Sequence, residues 1–342
     1  MTAPKRTAPK RTALKRTAPK RTALRSSESA APASAGSVRP DPGSVIVGVD
    51  GSRGSQTALE WAQNHVAHLG PVVAVSCWHR PWWDVSTMVL GHDMPEATAA
   101  LEQRARSDAN DAIRRLRPTA ATADLAPPSV VTRHGNAGDV LTDFSQDANL
   151  LVVGSRGRGR VAGSFLGSTS TYCAHHSSVP VAVVPSGVSV TEPISQVAVG
   201  VDGSENSIEA LRWTLRFTPT TSVIDVYFSW MTLPIASSLT APELDRVREA
   251  SEGFLDAVVD RVIAEEDSWG RSIRRHLSVG EPSAVLTASA ASMIVVGARS
   301  EGGFASIVVG SPANALVHTT EAVTVLVPPL AMQPVQEIHH VG

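Results

Sequence analysis

One stretch of the chain sets glycines, hydroxyls and cations in an order that suits an anion. It runs Gly154-Ser-Arg156-Gly157-Arg158-Gly-Arg160 and continues to Gly167-Ser168-Thr169-Ser170. Glycine lacks a Cβ, so backbone there can turn sharply and come close to a ligand. A helix is expected to open near Ser168, and the unpaired N–H groups and positive dipole end of a helix start suit phosphate oxygens. The hydroxyls of Ser168, Thr169 and Ser170 add donors, and Arg156, Arg158 and Arg160 add positive charge. The chemistry implied is polyanion binding, with a nucleotide phosphate the best fit. A Walker A loop is excluded because no Lys follows the last glycine. The turn Gly48-Val-Asp50-Gly51-Ser-Arg-Gly54 is not the dinucleotide fingerprint either.

The elements that must position this loop occur twice. Val47–Ser52 and Val199–Ser204 both read VGVDGS, an offset of 152, and the match continues through Ser55/Ser207, Ala58/Ala210, Leu59/Leu211 and Trp61/Trp213. Ala148–Gly154 matches Ala291–Gly297, and Val179–Pro185 matches Ala322–Pro328. Within the first copy, short apolar runs at Val45–Asp50, Pro71–Trp78, Ser129–Arg133, Leu150–Gly154 and Val179–Val184 read as buried parallel strands. Between them, Ser55–Leu69, Pro95–Arg117, Ala137–Gln146 and Ser168–Ser177 read as helices. The second copy keeps this order, with Ala241–Glu266 as its long helix. Such alternation demands right-handed crossovers and a parallel sheet covered on both faces. The expected fold class is α/β, with two doubly wound, five-stranded, Rossmann-like domains. In such sheets ligands bind beyond the carboxyl ends of the strands. That places Asp50 and Asp202, after the first strand of each copy, beside the glycine loops.

The spacing Gly154-x2-Gly157-x9-Gly167-Ser168, after the fourth strand of a duplicated unit, resembles that of nucleotide-binding universal stress proteins. A first strand ending in Asp, a second ending in Ser76-Cys77-Trp78 and a final VPVAVV strand belong to the same likeness, which covers about residues 44–186 and 195–330. The resemblance implies a strand order of 3-2-1-4-5 and pairing of domains through their fifth strands. It implies ATP or another adenine nucleotide as ligand, with Mg2+ able to accompany the phosphates. It places Val49, Asp50 and Cys77 beside the base. Gly154, Gly157 and Gly167 would wrap ribose and phosphates with Arg156, and Ser168, Thr169 and Ser170 would hold phosphate. In the second copy the corresponding residues are Val201, Asp202, Gly297, Arg299, Gly310 and Ser311. There Ser300 replaces the second motif glycine, Glu301 replaces Arg158 and Pro312 removes an N–H. Binding at copy two is therefore expected to be weaker.

The remaining residues divide the chain and narrow its function. Residues 1–25 carry four Lys and five Arg and no acid, in repeats of PKRTA; set against an overall charge of -2, they leave about -11 on residues 26–342. Recurrent Pro and few large apolar residues predict a disordered basic tail over 1–43, which could contact nucleic acid. The domains follow at 44–186 and 195–330, with an extension over 331–342. No run reaches the ~18 apolar residues of a membrane span, and no apolar segment follows the basic start. The reading is a cytoplasmic protein without membrane contact. Cys77 and Cys173 exclude a disulfide framework, and Cys77 reads as a small buried hydrophobe. His175 and His176, and His339 and His340, read as solvated. Trp78, His79, Trp82 and Trp83 suit either stacking on a base or packing. No catalytic triad, zinc cluster or general base is evident, so any ATP hydrolysis should be slow. The functional reading is a stress-response regulator acting through nucleotide-dependent conformation or partner binding. The alternatives are an interaction protein with vestigial sites or a slow ATPase. Intrachain pairing through the last strands and a homodimer are both compatible with the duplication.

Overall fold

The computed structural model of the chain describes residues 39–79, 95–117, 119, 122–157, 166–231, 238–268, 270–298, 315–317 and 319–329. The basic repeat, Trp82, Trp83, Arg158, Arg160, Arg299–Pro312, His339 and His340 lie outside the described residues, as does the extension from 330 onward.

The first copy builds β1 (Val45–Gly48), α1 (Arg53–Trp61), β2 (Val72–Trp78), α2 (Pro95–Arg114), β3 (Ser129–His134), α3 (Ala137–Phe144), β4 (Leu150–Gly154), α4 (Ser168–His176) and β5 (Val181–Val184). The second builds β6 (Gln196–Gly200), α5 (Glu205–Phe217), β7 (Val223–Met231), α6 (Ala241–Glu265), β8 (Ser272–Val279), α7 (Pro282–Ala288), β9 (Met293–Gly297) and β10 (Val323–Val327). The expected α/β class holds, and each half has the order 3-2-1-4-5. The two sheets do not stay separate. β5 and β10 pair antiparallel through Val181–Leu326, Ala182–Val325 and Val183–Thr324, giving one sheet of ten strands. This pairing satisfies both fifth strands, whose exposed edges would otherwise invite association.

The central strands β1, β4, β5, β9 and β10 are nearly continuous apolar runs because both faces are buried, whereas the outer strands β3 and β8 carry polar and charged residues. Val45, Val47, Val152, Val199 and Val295 face one core, with α1, α5 and the buried Trp61 and Trp213 against them. Ile46, Val73, Val75, Leu151 and Val153 face the other, with Leu141 and Cys173. The helix after β1 departs from expectation: α-helical turns stop at Trp61, and residues 62–66 widen into a π-helical turn before a short 3-10 turn ending at Leu69. Asn64 sits in that widened turn and its amide donates to the carbonyls of Arg117 and Val190, so the bulge ties α1 to two loops. β5 begins at Val181 rather than Val179. Ser177 Oγ bonds both the carbonyl and the N–H of Val179, closing a turn, and Pro180 has no N–H for the ladder.

Candidate functional site

Asp50 follows β1, and its Oδ1 accepts the N–H of Ser52 at 2.9 Å. Ser52 caps α1 by accepting the N–H of Ser55, while Ser55 Oγ accepts the N–H of Asp50 at 3.3 Å. Short polar side chains at such positions satisfy the free N–H groups of a helix start. The second copy repeats the arrangement, with Asp202 accepting the N–H of Ser204 at 3.0 Å and Ser207 Oγ accepting the N–H of Asp202 at 3.2 Å. One carboxylate oxygen of Asp50 thus holds the turn. The other, Oδ2, lies 2.8 Å from where a Cβ on residue 157 would stand.

The end of β4 presses against the start of α1. A Cβ on Gly154 would fall 2.6 Å from the carbonyl carbon of Gly54, and one on Gly54 would fall 2.2 Å from the carbonyl oxygen of Arg156. Neither contact is compatible with a side chain, so this pair of glycines fixes the path of the loop. The loop is anchored at its far end by the Gly167 N–H, which donates to the Ser155 carbonyl at 2.8 Å. Ser170 is buried, and its hydroxyl donates to Gly167 O at 2.9 Å. This hydroxyl therefore also braces the loop. Gly167 has no side chain to cap α4, so the N–H groups of the first turn, from Ser168 to Ser170, are left to whatever lies before them.

These pieces surround one cavity of about 240 Å³. Its floor is apolar, made by Val49, Val75, Leu141 and Val153, and its rim is polar, made by Asp50, Ser55, Arg156, Gly157 and the start of α4. Of the sequence-predicted residues in copy one, Val49, Asp50, Cys77, Gly154, Arg156, Gly157, Gly167, Ser168, Thr169 and Ser170 all line it. Cys77 is half-buried rather than enclosed, and burial pushes its thiol up to about 12 against the opposing influence of Arg133. His175 is half-buried, and exposed His176 stacks on Tyr172 with ring centroids 4.1 Å apart. Trp78 packs on His134 at 4.6 Å.

Sequence reading missed Gly54, Val75, Ala137, Leu141 and Val153. Val75 and Val153 were legible as alternate residues on one sheet face. Gly54 carried a signal too, because the duplicated block places Asn206 opposite it. In copy two, Asp202 is exposed, Val201 is buried, and Gly297 approaches Asn206 as Gly154 approaches Gly54. Arg299, Gly310 and Ser311 fall outside the described residues. Among the described residues, no group of three or more His, Cys, Asp or Glu is placed to hold a metal ion. No described helix is long and apolar enough to cross a membrane.

The universal stress protein family model matches residues 43–185 and again residues 193–328. The chain belongs to the universal stress protein family. A universal stress protein of Mycobacterium tuberculosis (strain CDC 1551 / Oshkosh) is 29% identical over 288 residues, spanning 78% of this chain and 90% of its own. A second universal stress protein of the same strain is 27% identical over 309 residues, spanning 81% of this chain and 92% of its own. Among solved structures, a universal stress protein from Archaeoglobus fulgidus superposes with a TM-score of 0.51 at 17% identity, covering 84% of this chain and 99% of that one. That likeness is one of fold.

Proposed function

We propose that the cavity of copy one binds an adenine nucleotide, ATP in the first instance, and that the protein is a regulator whose conformation or partner affinity follows nucleotide occupancy. One observation carries the reading: an apolar floor, a carboxylate at the rim, a glycine loop packed closely on the start of α1 and an uncapped helix start converge on a single cavity. A base needs the apolar floor of Val49, Val75, Leu141 and Val153. Asp50, at the rim, would accept from a ribose or base donor. Phosphate oxygens suit the backbone between Gly154 and Gly157, the N–H groups of Ser168 and Thr169, and the Arg156 guanidinium. A divalent cation, if bound, would arrive with the phosphates and share at most Asp50. Occupancy rather than turnover is the signal this reading assigns to the site.

The test is to purify the protein without added nucleotide, denature it and identify released small molecules by mass spectrometry, then titrate ATP into the emptied protein. Release of an adenine nucleotide, or saturable ATP binding below millimolar concentration, is the expected result. No release and no binding at millimolar ATP would leave a protein that acts through its surfaces alone.

A further inference from the structure

Copy two differs from copy one at the position that floors the first cavity. Gly48 pairs with Val75 in copy one, and Gly200 pairs with Tyr227 in copy two. The N–H of Val49 donates to the Val75 carbonyl at 2.9 Å, and the N–H of Val201 donates to the Tyr227 carbonyl at 2.9 Å. The two residues therefore hold the same place on the same face. Their surroundings match as well: Leu141 and Val153 stand over Gly48, and Leu286 and Val296 stand over Gly200. Where copy one has the two methyl groups of Val75 under an open cavity, copy two has a phenol ring packed on the cluster that contains Leu286 and Val296.

That ring is held from its side. It stacks on His276 with centroids 4.5 Å apart and planes within 14°. His276 Nε2 lies 2.6 Å from Oδ1 of Asp225, a carboxylate with no exposed surface. Arg274 donates to both oxygens of Asp225 at 2.6 and 2.7 Å, and Gln196 donates at 2.8 Å. The residues that copy one carries at these positions of β2 and β3 are Val73, Val75, Ser129 and Val131. Copy two has thus set a buried carboxylate, an arginine and a histidine beside the ring, where copy one has Val73, Ser129 and Val131. A buried charge is costly unless fully partnered; here every partner is in place, and the set fixes the ring. The rim changes in the same direction. Residue 206 is Asn where copy one has Gly54, a position at which a Cβ would lie 2.2 Å from the Arg156 carbonyl oxygen.

We propose that Tyr227, clamped by His276 and Asp225, occupies the floor of the second cleft on which a base would rest, so that the chain takes one nucleotide, at copy one, and copy two is closed by its own side chain. The proposal rests on the nucleotide reading of copy one. Adenosine is the discriminating probe, because it tests the floor without engaging the phosphate loop. Isothermal titration of the full chain is expected to give one ATP and one adenosine per chain. Tyr227→Val should raise the adenosine stoichiometry to two, while Tyr227→Phe, which keeps the ring, should leave it at one. The reciprocal change, Val75→Tyr, should weaken ATP binding at copy one at least 100-fold with the melting transition retained. Two ATP per wild-type chain, or a folded Tyr227→Val chain that still takes one adenosine, would overturn the proposal and leave copy one's reading intact. A wild-type chain that takes no ATP would instead overturn the reading of copy one.

Discussion

Asp50 and Gly157 stand in a mutual steric constraint: the Oδ2 of Asp50 occupies space 2.8 Å from the point where any side chain at 157 would begin. The carboxylate comes from the end of β1 and the glycine from the loop after β4, so the contact joins two neighbouring parallel strands at their carboxyl ends. A Gly157→Ser chain must turn the carboxylate away or lift the loop. Residue 157 is exposed, so folding should be spared. The expected outcome is a rise in ATP Kd of about tenfold, or ~1.4 kcal/mol, with an unchanged melting temperature. Calorimetry showing parental affinity would remove Asp50 and Gly157 from the site.

Gly54 makes a harder demand, because the atom that would meet its Cβ is backbone: the Arg156 carbonyl oxygen, at 2.2 Å. Gly54→Asn, which copies the residue of the second half, should displace the loop. Overpacking of this kind costs about 1–3 kcal/mol. Chemical denaturation should show that loss, and ATP titration should show affinity falling more than tenfold. A variant that loses stability but keeps full affinity would mean that the loop finds the ligand without this anchor.

The Asp225 cluster predicts an acid-side dependence of stability. Burial alone would raise this carboxyl, but the hydrogen bonds from Arg274, His276 and Gln196 outweigh it and hold the group below its ordinary value of 3.8. A group depressed in the folded state contributes stability above its unfolded pKa and loses it as pH falls through the folded one. At neutral pH, Asp225→Asn should therefore cost about 1.5–3 kcal/mol, the range for hydrogen bonds to a charged group. The gap between wild type and variant should narrow as pH drops from 5 toward and below 3.8. Melting curves across that range check the sign; a gap that stays constant would show that the charge of Asp225 is not what stabilises the cluster.

Cys77 lines the cavity yet should be a poor nucleophile. With its thiol pushed up to about 12, roughly one part in 10⁴ is thiolate at pH 8. Alkylation by iodoacetamide, followed by intact-mass spectrometry, should run on the order of 10³-fold slower than for an ordinary exposed cysteine. Once labelled, the cavity should no longer accept ATP. Rapid labelling at pH 8 would show a thiol far more solvated than its place on β2 implies.

Much of this molecule was legible before any coordinates. Two VGVDGS blocks, apolar β-branched runs and the glycine spacing after Leu150–Gly154 indicated two α/β units and the neighbourhood of the cavity, because each depends on local composition and on rules of chain connection; the strand order was implied by the family resemblance those motifs carry. Other features depend on which backbones meet. Pairing of the halves through their fifth strands was implied by the resemblance, but its antiparallel register at Ala182 and Val325 is set only where the two edges meet. The bracing role of Ser170 emerges only when the loop doubles back on Ser155. The need for glycine at 54 arises from a carbonyl about a hundred residues away in sequence. The difference between Val75 and Tyr227 was present in the letters, but its consequence was not. Whether a ring lines a cleft or fills it is decided by strand register and by the His276–Asp225 pair beside it, and both are properties of the packed sheet.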